Sequence, residues 1–123
     1  MSIEASLLAK IEADVPAAGK GYPLDVPQDA APAWAYQTID DEGLLAHNGP
    51  LNFYKARVQI TLIAVDYATA KSLSAAVRVA LDGFKGNMHG TQVEYCKTTI
   101  SDDWADLHKL PVARLDVMIN YKL

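Results

Sequence analysis

Three histidines, one cysteine and two clusters of carboxylates are the residues of this 123-residue chain whose types suit chemistry. His47, His89 and His108 stand in three separate stretches, and no spacing puts two of them on one helical or strand face, as metal ligation needs. They read as ordinary loop histidines. Asp40-Asp41-Glu42 and Asp102-Asp103 with Asp106 offer oxygen ligands to a hard cation, yet neither has the alternating ligands and central glycine of a calcium loop. Solvated loop charge is the expectation. Gly83-Phe84-Lys85-Gly86 follows a helical stretch, whereas loops that cradle phosphates follow a strand and open a helix. A helix C-cap explains it better. Cys96 and the serines lack a nucleophile elbow or a histidine held by a third group. Cys96 is expected on the less buried side of its strand, as an unreactive residue. No catalytic, cofactor-binding or metal-binding residue is assigned, and a non-enzymatic protein is expected.

Composition narrows the classes further. A chain of this length fits one domain over residues 1–123, because it buries one core and is short for two. Half of its residues are hydrophobic, but no apolar run approaches the roughly 20 residues of a membrane span. The opening Met1-Ser2-Ile3-Glu4 lacks the basic and apolar segments of a secretory signal, so residence in a cytoplasm is expected. A single cysteine forms no internal disulfide and no thiolate cage. The formal charge is −4 with scattered basic residues, which is not the footprint of a protein that grips phosphates.

The elements that position these residues follow from periodicity. Ile3, Leu7, Leu8 and Ile11 recur at helical spacing behind Ser2, a suitable N-cap, and predict a helix over 3–13. Pro16 and Gly19 end it. Pro23, Pro27 and Pro32 make the following stretch an extended connection with at most a short edge strand near Tyr22. Residues 34–39 read as a strand, and 40–51, with Gly43 and Asn48-Gly49-Pro50, as a long polar loop. Over 53–65 Ala56, Val58, Ile60, Leu62 and Ala64 share one face, with Lys55, Arg57, Gln59 and Thr61 on the other. Asp66 caps a helix bearing Leu73, Ala76, Val77, Ala80, Leu81 and Phe84 on one stripe. Residues 85–90 read as a loop, and 92–100 as a strand with Val93 and Tyr95 on one side. The last strand, 112–121, has Ala113, Leu115, Val117, Ile119 and Tyr121 on one face.

The order α-β-β-α-β-β defines an α+β fold, in which two helices cover one face of a four-stranded antiparallel sheet. The second helix crosses from the second strand to the third and leaves room for the last strand between them, so the expected sheet order is first, second, fourth, third. The other sheet face stays open. Ile63, Val65 and Trp34 or Tyr36 are expected there, and Trp34 and Trp104 suit either core or a subunit contact.

Several phrases in this order resemble the tail-terminator, or tail-completion, family of long-tailed bacteriophages. They are Tyr22-Pro23, Val26-Pro27-Gln28-Asp29-Ala30 with Pro32 and Tyr36, then Arg57-Val58-Gln59-Ile60, Asp66-Tyr67-Ala68-Thr69-Ala70-Lys71-Ser72-Leu73, Ala76-Val77-Arg78-Val79-Ala80-Leu81-Asp82-Gly83 and Arg114-Leu115-Asp116-Val117. The resemblance implies a structural protein at the virion neck. Such a protein forms a hexameric ring that caps the head-proximal end of the tail tube, stops its growth and presents a surface to the head-tail connector. DNA passes through its lumen without specific binding. Partners are then further copies of the chain, the tail tube protein and the connector, with no membrane. Trp34, Tyr36, Leu44, Leu45 and Trp104 are the candidate contact residues, Leu44 and Leu45 because apolar side chains in a long loop gain from burial against a neighbour. A head-closure component of the same assembly, and a small ligand-binding domain or enzyme, are the alternatives.

Overall fold

A computed structural model describes the chain over residues 3–23, 32–46, 49–64, 66–102, 106–107 and 110–122, with side chains over 3–23, 32–43, 53–64, 66–99 and 112–122. Ser2, Pro27, Val65 and Trp104 lie outside the described residues, and so does the inferred N-cap role of Ser2.

The first helix, α1, spans Ile3–Asp14 and buries Ile3, Leu7 and Ile11, as their spacing predicts. Ser6 and Lys10 are buried with them, and both polar groups are satisfied. Ser6 Oγ shares a 2.6 Å hydrogen bond with Thr91 Oγ1, while Lys10 Nζ donates to Asp14 at 2.6 Å and lies 4.1 Å above the Phe84 ring. A 3-10 turn over Pro16–Ala18 ends at Gly19, whose φ of 80° suits glycine and where a Cβ would stand 2.1 Å from the Pro32 carbonyl oxygen. That turn feeds β1, Lys20–Pro23.

Next come β2 (Ala33–Ala46) and β3 (Gly49–Ile63), paired antiparallel from Ala33↔Ile63 to Ala46↔Gly49. The expected polar loop over 40–51 is therefore strand along most of its length. Its glycine, acids and turn residues look like a loop, but cross-strand pairing satisfies the backbone all the same. Helix α2, Tyr67–Leu81, is capped by Asp66, whose carboxylate accepts from the Thr69 N–H at 2.7 Å. Its buried stripe is Ala70, Leu73, Ser74, Val77 and Leu81. Ala76 is exposed and Ala80 and Phe84 only half-buried, so the helix is rotated from the expected stripe.

The expected loop over 85–90 is a tight hairpin. In it β4 (Gly86–Met88) pairs with β5 (Thr91–Asp102) across His89-Gly90, both at positive φ (44° and 104°), a type I′ pattern. Two residues, Asp106–Leu107, form β6 against the start of β7, Leu110–Lys122.

The sheet order is β1-β2-β3-β7-β5-β4, with β6 pairing β7. Its four long strands follow the expected order. The sheet is not four-stranded and wholly antiparallel, because β1 joins β2 in parallel and β4 extends the far edge. β1 is the short edge strand expected near Tyr22, whereas the three residues of β4 are too few to show a period.

Core residues from both helices and from β2, β3, β5 and β7 form one cluster. Trp34 belongs to it, fully buried and opposite Leu62, and Tyr36 packs against it from the same face. Neither lies on the open face, as one reading had them, because alternation along β2 puts both with Ile60 and Leu62. Ile63 does face the other side, where it is buried with Ala33, Ala35, Val112 and the half-buried Tyr22 in a small second cluster. Helix α1 touches both edges of the sheet, meeting β1 where Leu8 lies against Gly21 and meeting β4 on the far side. The sheet therefore curls around it.

Candidate functional site

Among the described residues, those suited to chemistry are not brought together. His89 is exposed in the hairpin turn, while His47 and His108 lie outside the described residues. Among the described residues, no three histidines, cysteines or carboxylates are grouped to hold a metal. Cys96 is fully buried in the main cluster. The expectation that it faces the less buried side fails at a β-bulge, since Val93 pairs with Tyr121 and Tyr95 with the adjacent Asn120, which leaves Glu94 as the extra residue. Alternation inverts there, so Tyr95 turns out and Cys96 turns in. Burial, with the Asp82 carboxylate adding to it, pushes the Cys96 thiol up to about 12. A thiol so protonated is a poor nucleophile.

Three surfaces remain. The first is the sheet face away from the helices, which presents Lys55, Arg57, Lys97 and Lys122 beside Asp40, Glu42 and Asp116. Arg57 Nη2 lies 2.9 Å from Asp116 Oδ2 across the strands. The second is the outer side of α2, where Tyr67 is 51% and Val79 84% exposed and where Asp14, Ala75, Ala76 and Ala80 line a shallow open depression with Val79.

The third is an arm. Pairing of β3 with β7 ends at Phe53↔Lys122, but β2 and β3 stay paired to Ala46↔Gly49. Beyond that pair β3 has four more residues and β2 three, with a register shift between Gly43 and Leu45, so the hairpin runs roughly 10 Å past the last β7 partner among the described residues. At the base of the arm the Tyr54 and Tyr121 rings stack at 5.5 Å, and Gly43 leaves room for Tyr54, since a Cβ there would come within 3.2 Å of its ring. The Tyr121 hydroxyl donates to the Asp41 carboxylate. Burial first, and that hydrogen bond second, raise the Tyr121 pKa well above the ordinary phenol value of 10.0. A second bulge, with Ile39 as the extra residue between Thr38 and Asp40, puts Asp41 on the tyrosine face and Asp40 and Glu42 on the other. The acidic run is thus strand rather than loop.

Of the candidate contacts, Tyr36 is half-buried and Trp34 is core, Leu44 and Leu45 lie in the arm strand with side chains outside the described residues, and Trp104 falls outside them altogether. Sequence reasoning missed Tyr54, Tyr121 and Asp41 as a group; a bulge hides that grouping from periodicity.

These features define a curled α+β sheet with a helix-covered face, a polar face and a projecting hairpin. No protein-family model matches the sequence, and no curated protein does. Among solved structures the chain is similar to a chain of the virion of a native gene transfer agent particle. The TM-score is 0.71 at 16% identity, over 99% of this chain and 96% of the other. The likeness is one of fold, along nearly the full length of both.

Proposed function

We propose that this protein is a non-enzymatic structural component of a phage-like virion, which closes the head-proximal end of the tail tube as a ring, stops tail growth and offers the head-tail joining surface. The observation that carries the proposal is the full-length fold likeness to a chain of a gene transfer agent virion. The ordered phrases that resemble tail terminators point the same way. The polar sheet face suits a lumen through which DNA slides, because its mixed charges attract phosphate too weakly to clamp it. The arm suits contact with a neighbouring copy or with the tube, since its paired strands run past the last β7 partner among the described residues.

Removing the gene from a phage that carries it and imaging the lysate by electron microscopy tests the reading. Overlong tube-like structures without heads are expected. Tails of normal length that fail to join heads would instead assign the protein to head closure, and normal joined tails would sink both readings.

A further inference from the structure

The outward side of α2 carries an apolar knob where a solvated helix would carry charge. The buried stripe of Ala70, Leu73, Ser74, Val77 and Leu81 fixes which side packs on the sheet, and a turn of about 100° per residue puts Ala68, Ser72, Ala75 and Val79 opposite it. All four are exposed. Val79, at 84%, is the most exposed large hydrophobic residue among those described. It stands as a ridge between two shallow depressions, one lined by Asp14, Ala75, Ala76 and Ala80 and the other by Ala75, Arg78 and Asp82. The same rotation places Lys71 and Asp82 on one flank, near opposite ends of the helix, and Ala76 and Ala80 on the other.

A face with one base and one acid at the two ends of one flank complements itself. A two-fold axis crossing the helix between Ala76 and Val77 sets two copies antiparallel and brings Lys71 of each level with Asp82 of the other. That axis reverses the helix direction without exchanging its flanks, so the opposite charges meet on one side of the pair. Val79 of each copy then stands over the gap among Ser72, Ala75 and Ala76 of the other, which are small enough to receive it. A parallel pairing would lay the charged flank on the alanine flank and leave both charges unmatched. The local bonds suit the antiparallel arrangement. The Asp82 carboxylate is exposed yet held in place by the Thr98 N–H at 2.8 Å, while Arg78 is half-buried and donates to Thr98 Oγ1 at 3.2 Å, turned toward the sheet. Lys71 is exposed, with its ammonium 5.8 Å from the centre of the Tyr67 ring.

We infer that the outer face of α2 is where two free copies of this chain pair, α2 against α2 in antiparallel, with Val79 seated on the small residues of the other copy and Lys71 matched to Asp82 at both ends. The contact uses the same patch on both copies and closes at two, so it is separate from the ring contact and does not depend on the ring reading. The helix is about 22 Å long, and one helix face on each side covers well under the roughly 1,600 Å² of a standard interface, so the pair is weak and concentration-dependent.

Sedimentation equilibrium of the full chain over rising concentration should show a reversible dimer. Val79→Lys, at a position too exposed to disturb the fold, should weaken it by about tenfold or more with an unchanged circular dichroism melt. Disulfide trapping, with Cys96 left in place as a buried thiol, reads the geometry. Ala75→Cys stands beside the axis and should cross-link to its own mate under mild oxidant. Ala68→Cys, on the same exposed face but roughly 25 Å from its mate across that axis, should not. Equal cross-linking through the two positions would overturn the antiparallel two-fold contact. A dimer that neither responds to Val79→Lys nor traps through Ala75→Cys forms elsewhere and would overturn the inference, as would a chain that stays monomeric at every concentration.

Discussion

Tyr121 and Asp41, 80 positions apart, are joined by a hydrogen bond of 2.8 Å that ties the last strand to the base of the arm. The phenol is buried and the carboxylate is exposed, so water replaces the tyrosine readily when the bond is lost. Tyr121→Phe should therefore cost about 1 kcal/mol, read by urea denaturation, while the stack on Tyr54 persists. Amide hydrogen exchange at 40–43 should speed up by more than the global loss explains. Exchange that rises evenly over the whole sheet would show that the bond does not hold the arm.

Alkaline pH should unfold the protein earlier than its composition suggests. The Cys96 thiol is raised by burial from 9.0 to about 12, so the folded state disfavours the thiolate. The stability it contributes is complete below pH 9 and falls as pH rises toward 12, by at most about 1.4 kcal/mol per unit. Tyr121 adds the same sign of slope above pH 10. Cys96→Ala should flatten the pH 9–10 part of the curve, with the midpoint of thermal unfolding as the measurement. An unchanged slope would mean that the thiol is accessible.

Leu62→Asp should abolish folding, and Thr61→Asp should be tolerated. Leu62 is fully buried in the main cluster, and an unpaired carboxylate there costs several kcal/mol, comparable with the stability of a small domain. Thr61 sits on the opposite face, between Ala35 and Arg114 in the register. Circular dichroism melts that coincide for the two variants would reverse the assignment of faces.

Gly21→Ala should destabilise by about 1–3 kcal/mol through overpacking. The new Cβ would stand 2.5 Å from both the Leu8 methyl and the Trp34 ring, which cannot retreat together. A paired Leu8→Ala change should restore part of the loss. Additive losses in the double variant would argue against this cause.

Shortening the arm should separate folding from assembly. Replacing 45–50 by a two-residue turn leaves every β3–β7 pair intact, so the melting temperature should change little. In a phage lysate the same variant should give overlong headless tubes. Normal tails joined to heads would remove the arm from the proposed function.

The long-range plan of the sheet was legible in the sequence because β3 and β7 alternate without interruption over their buried lengths, from Ala56 to Leu62 and from Ala113 to Tyr121. β2 and β5 were legible only up to their bulges. Just past Ile39 and Glu94 the faces invert, so Asp41 looked like loop charge and Cys96 like a surface thiol. The arm was hidden for a different reason: Gly43 and Asn48-Gly49-Pro50 carry loop chemistry, and only pairing across the hairpin makes them strand. Trp34 was ambiguous because aromatic residues suit cores and interfaces alike, and its place opposite Leu62 fixes it as core.

The curl of the sheet around α1 has a consequence for the chain as it leaves the ribosome. The helix is made first, yet Ser6 bonds to Thr91, 85 residues later, and the β4 edge it touches follows more than seventy residues behind it. At about 5–20 residues per second, Ile3, Leu7 and Ile11 wait on the order of 4–17 s for the far wall of their pocket to be synthesised. During that interval the apolar stripe of α1 is the part of the nascent chain that a chaperone would hold.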